Sequence, residues 1–267
     1  MATRYWVGGT GDWDASDTTH WSDSSGGAGG QSVPGSSDSV IFDSSSGGGT
    51  ITLRNDITIL TFTFNDGIFD ANDFNIIMKN FSSAGADSRT LNMGNGTWTS
   101  NGTNMAPWNV SASLTLNPED STIKLINSVS GTNYTFVGGG KIYNNYWNAT
   151  TGSGSIVITG SNTFNDLKIN AGRTQRFAIN TTQVISTLTS LGTASSHAVI
   201  NSQLGSITNH NLSKASGTVR CDYLNISNSN AIGGATWFAG NHSVDFLDNN
   251  GWLFTSPFSP FPSRYNI

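Results

Sequence analysis

The residues able to do chemistry are few, and their spacing favours turns over catalysis. Glycoside hydrolysis needs two carboxylates flanking one bond, roughly 5 to 9 Å apart. The densest acids within the strand-rich body are Asp66, Asp70 and Asp73, with Asp245 and Asp248 as a second pair. They lie in Asn-Asp-Gly, Ala-Asn-Asp and Leu-Asp-Asn contexts, where Asp braces a turn through backbone contacts. A lyase would pair a basic residue with acids. Arg173 and Arg176 have only Asp166 near them in sequence, which suggests a surface pairing instead. Asp12, Asp14 and Asp17 offer hard oxygen donors at short spacing, as calcium requires. The EF-hand glycine and final glutamate are missing, however, and Gly8-Gly9-x-Gly11 is followed by Trp13 where a nonapeptide calcium repeat has aspartate. His20, His197, His210 and His242 are dispersed, without the ligand spacing of zinc. Neither a Gly-x-Ser-x-Gly elbow nor a phosphate-binding loop is present. Cys221 occupies an apolar strand position and reads as a core residue. The sequence therefore leads us to expect no catalytic residue, no metal and no cofactor. A glycan could instead be met by exposed aromatics, with Trp98, Trp108, Tyr146 and Trp147 as the candidates, although scattered aromatics are more often core or interface.

The elements that would carry such residues are short strands. From Ser155 to Gly192 the apolar residues form brief runs: Ile156-Val157-Ile158, Phe164-x-x-Leu167-x-Ile169, Phe177-x-Ile179 and Val184-Ile185-x-x-Leu188. Gly, Asn, Thr or Ser cuts off each run, as expected of strands with one buried face. The Phe164 phrase is echoed by Ile57-x-x-Leu60-x-Phe62 and Cys221-x-x-Leu224-x-Ile226. Leu167 precedes Leu188, and Leu204 precedes Leu224, by about one rung of a stacked coil. Only 11% of the 267 residues are charged and 31 are glycine. Glu119 is the sole glutamate, and no segment has helical period with caps. An all-β chain is expected: a parallel β-helix, with a two-sheet jelly roll as the alternative because it shares the same alternation.

A net charge of −5 argues against binding a phosphate backbone. No apolar run is long enough to span a bilayer. Residues 1–50, with Trp6, Trp13 and Trp21 among glycine-rich loops, suit a cap over the first rung; an aromatic sugar platform is the alternative. Residues 51–254 form the expected body. Within them Asn92 to Asn104 reads as a polar loop or a hairpin closed by Asn-Gly. Residues 255–267 form an extended tail, in which Pro257, Phe258, Pro260, Phe261, Pro262 and Tyr265 would dock on a neighbouring subunit or partner.

Both ends carry recognisable phrases. The opening Trp6-Val7-Gly8-Gly9, Trp21-Ser22, Gly26-Gly27-Ala28-Gly29, Val33-Pro34 and Asp38-Ser39-Val40-Ile41-Phe42-Asp43 resembles the start of many β-helical virion surface proteins of tailed bacteriophages. The closing Gly233-Gly234-Ala235-x-Trp237-x-Ala239 and Asn250-Gly251-Trp252-x-Phe254 resembles the last rung and cap of that group. The two matches cover about a third of the chain. The resemblance implies a right-handed parallel β-helix, often trimeric, serving as a head decoration, fibre or tail protein. The expected function is thus a non-enzymatic capsid decoration or cement protein, acting as a homotrimer on other virion proteins such as the major capsid protein. The alternatives are a tail-fibre module for host surface glycans and a polysaccharide depolymerase. The opening Met-Ala-Thr-Arg-Tyr-Trp-Val lacks a signal peptide's apolar region. A virion component folded in the host cytoplasm, with neither nucleic acid nor membrane as partner, fits these features.

Overall fold

Short alternating runs separated by turn residues can bury their apolar side only by stacking on further runs like themselves, and the chain does so. The computed structural model describes residues 1–102, 105–203 and 206–256. It is a right-handed parallel β-helix of about nine turns, whose regular structure among the described residues is β-strand apart from one short 3₁₀ helix at Ser44–Ser46. Among the described residues the strands pair in parallel except at the opening edge, where Trp21–Ser22 runs antiparallel to Thr3–Trp6; a lone antiparallel bridge joins Thr193 and Ser196 in a loop. Parallel stacking excludes the jelly roll, whose sheets are antiparallel. The tail residues Pro257, Phe258, Pro260, Phe261, Pro262 and Tyr265, together with Leu204, lie outside the described residues.

Three faces run the length of the coil. The first is a twelve-stranded sheet from Trp21–Ser22 and Thr3–Trp6 to Val244–Asp245. The second begins as five strands, Gly11–Trp13 to Leu114–Asn117, and the third begins with Ile57–Thr58, Ile76–Met78, Thr97–Ser100 and Thr122–Leu125. At mid-length these two faces share the long strands Ile142–Asn148, Thr163–Asn170 and Thr182–Leu191. Thr122–Leu125 pairs with the second half of the first of these, Asn145 to Asn148, whereas Asn211 to Ser213 pair with the opening residues Thr182 to Val184 of the last. Each long strand therefore turns the corner between faces without a break. The later second face is His210–Ser213 and Ser229–Ile232; the later third face is Thr218–Arg220, Thr236–Phe238 and Trp252–Leu253.

This unbroken corner explains the Phe-x-x-Leu-x-Ile phrase. Along Thr163–Asn170 the buried side chains are Phe164, Leu167 and Ile169, so the period of two slips to three at Asn165–Asp166. The same slip separates Tyr143 from Tyr146 and Ile185 from Leu188. Leu167 is in register with Leu188, as their spacing predicts. The echoes at Ile57 and Cys221 fall at other corners, leading into the first face at Thr61–Phe64 and Leu224–Ile226, so they are not the same position of the rung.

Inside, aromatic rings form a column. Trp6 meets Trp21 at 5.2 Å between centroids, and Trp21 meets Trp13 at 4.9 Å. Phe62, Phe81 and Trp108 follow at 5.5 and 4.5 Å, and Trp108 lies nearly parallel to Phe136. Phe136 reaches Tyr143 and Tyr146, and Tyr143 stacks on Phe164. Beyond Phe164 the filling is largely aliphatic, with Leu188, Ile200 and Ile226, until Trp237 and Trp252 meet at 5.2 Å. Complete burial of each such side chain stabilises by roughly 1.5 to 3 kcal/mol.

The strands of residues 1–50 join this stack. Thr3–Trp6 pairs with Ser39–Phe42, which pairs with Thr61–Phe64. Trp6, Trp13 and Trp21 are fully buried and Val33 packs against the core, so the loops between them close this end. The Asn92 to Asn104 stretch contains no hairpin among its described residues. Its Thr97–Ser100 segment is a rung strand pairing in parallel with Ile76–Met78 and Thr122–Leu125. Its polar neighbours had hidden it, since a lone Trp among Thr, Ser and Gly shows no alternation.

Candidate functional site: a lysine-flanked tryptophan on the third face

The expected acids are spread along the coil. Asp70 Oδ1 accepts from the Asn72 N–H at 2.9 Å, and Asp73 Oδ1 from the Asn95 N–H at 2.8 Å. Asp66 sits a corner earlier, between Thr61–Phe64 and Ile68–Asp70. Asp245 Oδ1 accepts from the Leu247 N–H and from Asn249. The Asp70 and Asp245 contacts brace their own turns, as the sequence contexts indicate, whereas Asp73 ties its turn to the next rung. In the opening loop, Asp12 pairs with Arg54 at 2.8 Å. Asp14 accepts the Ser16 and Asp17 N–H groups, and those backbone hydrogen bonds hold its carboxyl below the ordinary value. Asp17 accepts from the Thr19 hydroxyl and N–H, which likewise lower its carboxyl.

Arg173 and Arg176 do not pair with Asp166. Arg173 donates to the Ala171 and Gly152 carbonyls, Arg176 donates to the Ser202 carbonyl, and Asp166 lies on another face. Cys221 keeps partial surface exposure as a residue. Its thiol nevertheless contacts the Leu188 carbonyl at 3.4 Å and is pushed up to about 12, chiefly by burial.

Three of the four candidate glycan aromatics are interior. Trp98, Trp108 and Tyr146 are fully buried: Trp98 donates to the Met93 carbonyl, Trp108 to the Tyr143 hydroxyl and Tyr146 to Gln175 Oε1. They contribute to the column and present no surface to a sugar. Trp147 is the exception, being the only one of the eight tryptophans that is not buried.

Around Trp147 the third face presents two ladders of outward side chains, placed by strand register. Thr97, Thr122, Asn145 and Asp166 form one; Thr99, Lys124, Trp147 and Lys168 form the other. Residues of both ladders line a groove of about 310 Å³. Lys124 Nζ lies 4.2 Å from the Trp147 ring centroid and Lys168 Nζ 4.1 Å from it. The two lysines come from the strands on either side of the one that carries Trp147. The Trp147 indole N–H donates to Asn170 Oδ1 at 2.7 Å, fixing the ring. A sugar stacking on Trp147 would compete with these two ammonium groups for the ring. Asp166 accepts from the Thr189 hydroxyl at 2.8 Å, and burial raises its carboxyl above the ordinary value. Among the described residues, neither ammonium lies within 4.0 Å of a carboxylate oxygen. Sequence reasoning named Trp147 but missed both lysines, whose rungs meet it only once the register is known.

Comparison of the chain with protein-family models, curated proteins and solved structures gave no match. The fold and the groove accordingly carry the functional argument.

Proposed function

We propose that this chain is a non-enzymatic structural protein of a tailed-phage virion, a homotrimeric decoration or cement protein of the head. The resemblance of its two ends supports the class. The observation that carries the mode of action is an apolar ladder on the second face. Ile142, Thr163, Val184, Ser213 and Ile232 stand in register on five successive rungs. Ile142 is 63% exposed, Val184 41% and Ile232 39%. Outward Ile and Val on alternate rungs, with Thr163 and Ser213 between them, leave apolar surface in water, and covering it with the same ladder of another subunit removes it. Parallel packing about an axis along the coil keeps every rung level with its counterpart. In this reading, side-by-side subunits present one combined end to the shell. Light scattering of the purified chain should give three times the mass of 28.2 kDa, and Ile142→Glu with Val184→Glu should reduce it to one. A wild-type monomer, or a particle reconstruction that places the chain only on tail fibres, removes this reading.

A second reading, a receptor-binding module for host surface glycans, is favoured by the groove at Trp147. Adsorption of purified protein to host cells, competed by the isolated surface polysaccharide, tests it.

A further inference from the structure

The groove carries more information than the presence of a half-buried tryptophan. Its floor is a row of short polar side chains, Thr97, Thr122, Asn145 and Asp166, on four successive rungs about 4.8 Å apart. That spacing sets hydroxyl, amide and carboxyl groups at intervals close to the length of one sugar ring. Its wall is Lys124, Trp147 and Lys168. In a chain of net charge −5, two ammonium groups at one ring outnumber the single carboxyl of the groove, Asp166, which is not within ion-pair distance of either. Their positions over one indole hold them in place before any ligand arrives. Cation–π contact is attractive by roughly 0.5 to 1 kcal/mol at exposed sites, and it leaves each ammonium's hydrogens free to donate outward.

We propose that this groove binds a linear glycan bearing carboxylates, laid along the coil axis, with Lys124 and Lys168 each donating to a carboxylate and the Thr and Asn floor meeting ring hydroxyls. The inference rests on the second reading above and narrows it to a ligand class. Two ammonium groups held at the ring favour an anionic sugar over a neutral one. The overall negative charge disfavours denser polyanions such as nucleic acids.

The test uses the full chain with three probes: hexagalacturonate, its fully methyl-esterified form and maltohexaose. Because the other seven tryptophans are buried, a ligand-induced change in tryptophan emission reports on Trp147. Hexagalacturonate is expected to change the emission and to give calorimetric binding, with neither neutral probe matching it. Lys124→Gln with Lys168→Gln should weaken binding by about tenfold or more, the equivalent of about 1.4 kcal/mol, while Lys79→Gln, at an exposed site outside the groove, leaves it unchanged. Equal binding of the neutral probes overturns the anionic class but leaves glycan binding standing. Binding of hexagalacturonate that the double variant does not weaken removes the site. No binding of any probe, with cell adsorption intact, overturns this inference alone; loss of both removes the second reading as well.

Discussion

Tyr146 and Trp147 are consecutive residues that face opposite ways on one strand. The Tyr146 hydroxyl donates to the buried Gln175 Oε1 at 2.9 Å, while the Trp147 indole donates to Asn170 on the outside. Burial pushes the Tyr146 phenol well above its ordinary value, so it stays a neutral donor at any pH the protein meets. Tyr146→Ala should cost about 3 to 5 kcal/mol through the cavity it leaves, and Tyr146→Phe about 1 to 2 kcal/mol through the lost hydrogen bond. Trp147→Ala should cost about 1 kcal/mol or less. Urea titration of the three variants checks the ordering, and equal losses for the two alanine variants would contradict the inward and outward assignment.

Arg89 is a buried cation held without a carboxylate. It is 3% exposed, and its guanidinium donates to the carbonyls of Phe64, Ser83, Gly85 and Asp87 and to the hydroxyls of Ser83, Ser111 and Ser113. Three successive rungs are tied together at one corner by this fork, which lysine cannot reproduce. Arg89→Met leaves several buried acceptors unpaired and should cost about 3 kcal/mol or more; Arg89→Lys should recover less than half. Thermal unfolding of both variants measures the difference.

Acid should loosen the later turns through His210. Burial lowers its imidazole to about 3, against an ordinary 6.5, and it packs on Phe177 at 4.7 Å between ring centroids. The folded protein keeps this ring neutral while the unfolded chain protonates it. Stability therefore falls as pH drops from about 6.5 towards 3, by up to about 1.4 kcal/mol per pH unit for this one group, and the contribution is flat above that window. His210→Phe should flatten the denaturation midpoint between pH 6 and 4. An unchanged slope would show that other groups dominate acid unfolding.

Cys221 should be inert in the native protein. With its thiol pushed up to about 12 by burial, little thiolate exists at pH 8. An aromatic disulfide reagent should label it at the rate of global or local opening, and in full only after denaturant is added. Fast stoichiometric labelling of the folded chain would contradict the packing at Leu188.

Much of the fold was legible because stacked rungs repeat a short pattern: Phe164, Leu167 and Leu188 announce buried strands one rung apart. What stayed hidden was parity. In Thr97-Trp98-Thr99-Ser100 one aromatic stands among polar neighbours, and nothing local says which side it faces. In Tyr146-Trp147 one ring must point inward, and the choice follows from the slip at the Asn144–Asn145 corner, itself set by neighbouring rungs. The groove was less legible still. Lys124, Trp147 and Lys168 are separated by more than twenty residues at each step and become neighbours only through parallel register.

The antiparallel strand at the opening edge bears on polymer growth. Trp21–Ser22 covers Thr3–Trp6 with reversed polarity, so a second copy arriving end-on with its Val244–Asp245 edge does not continue the parallel register of that face. Head-to-tail continuation of the ladder, the standing hazard of any open stack of parallel strands, is thereby disfavoured on that face.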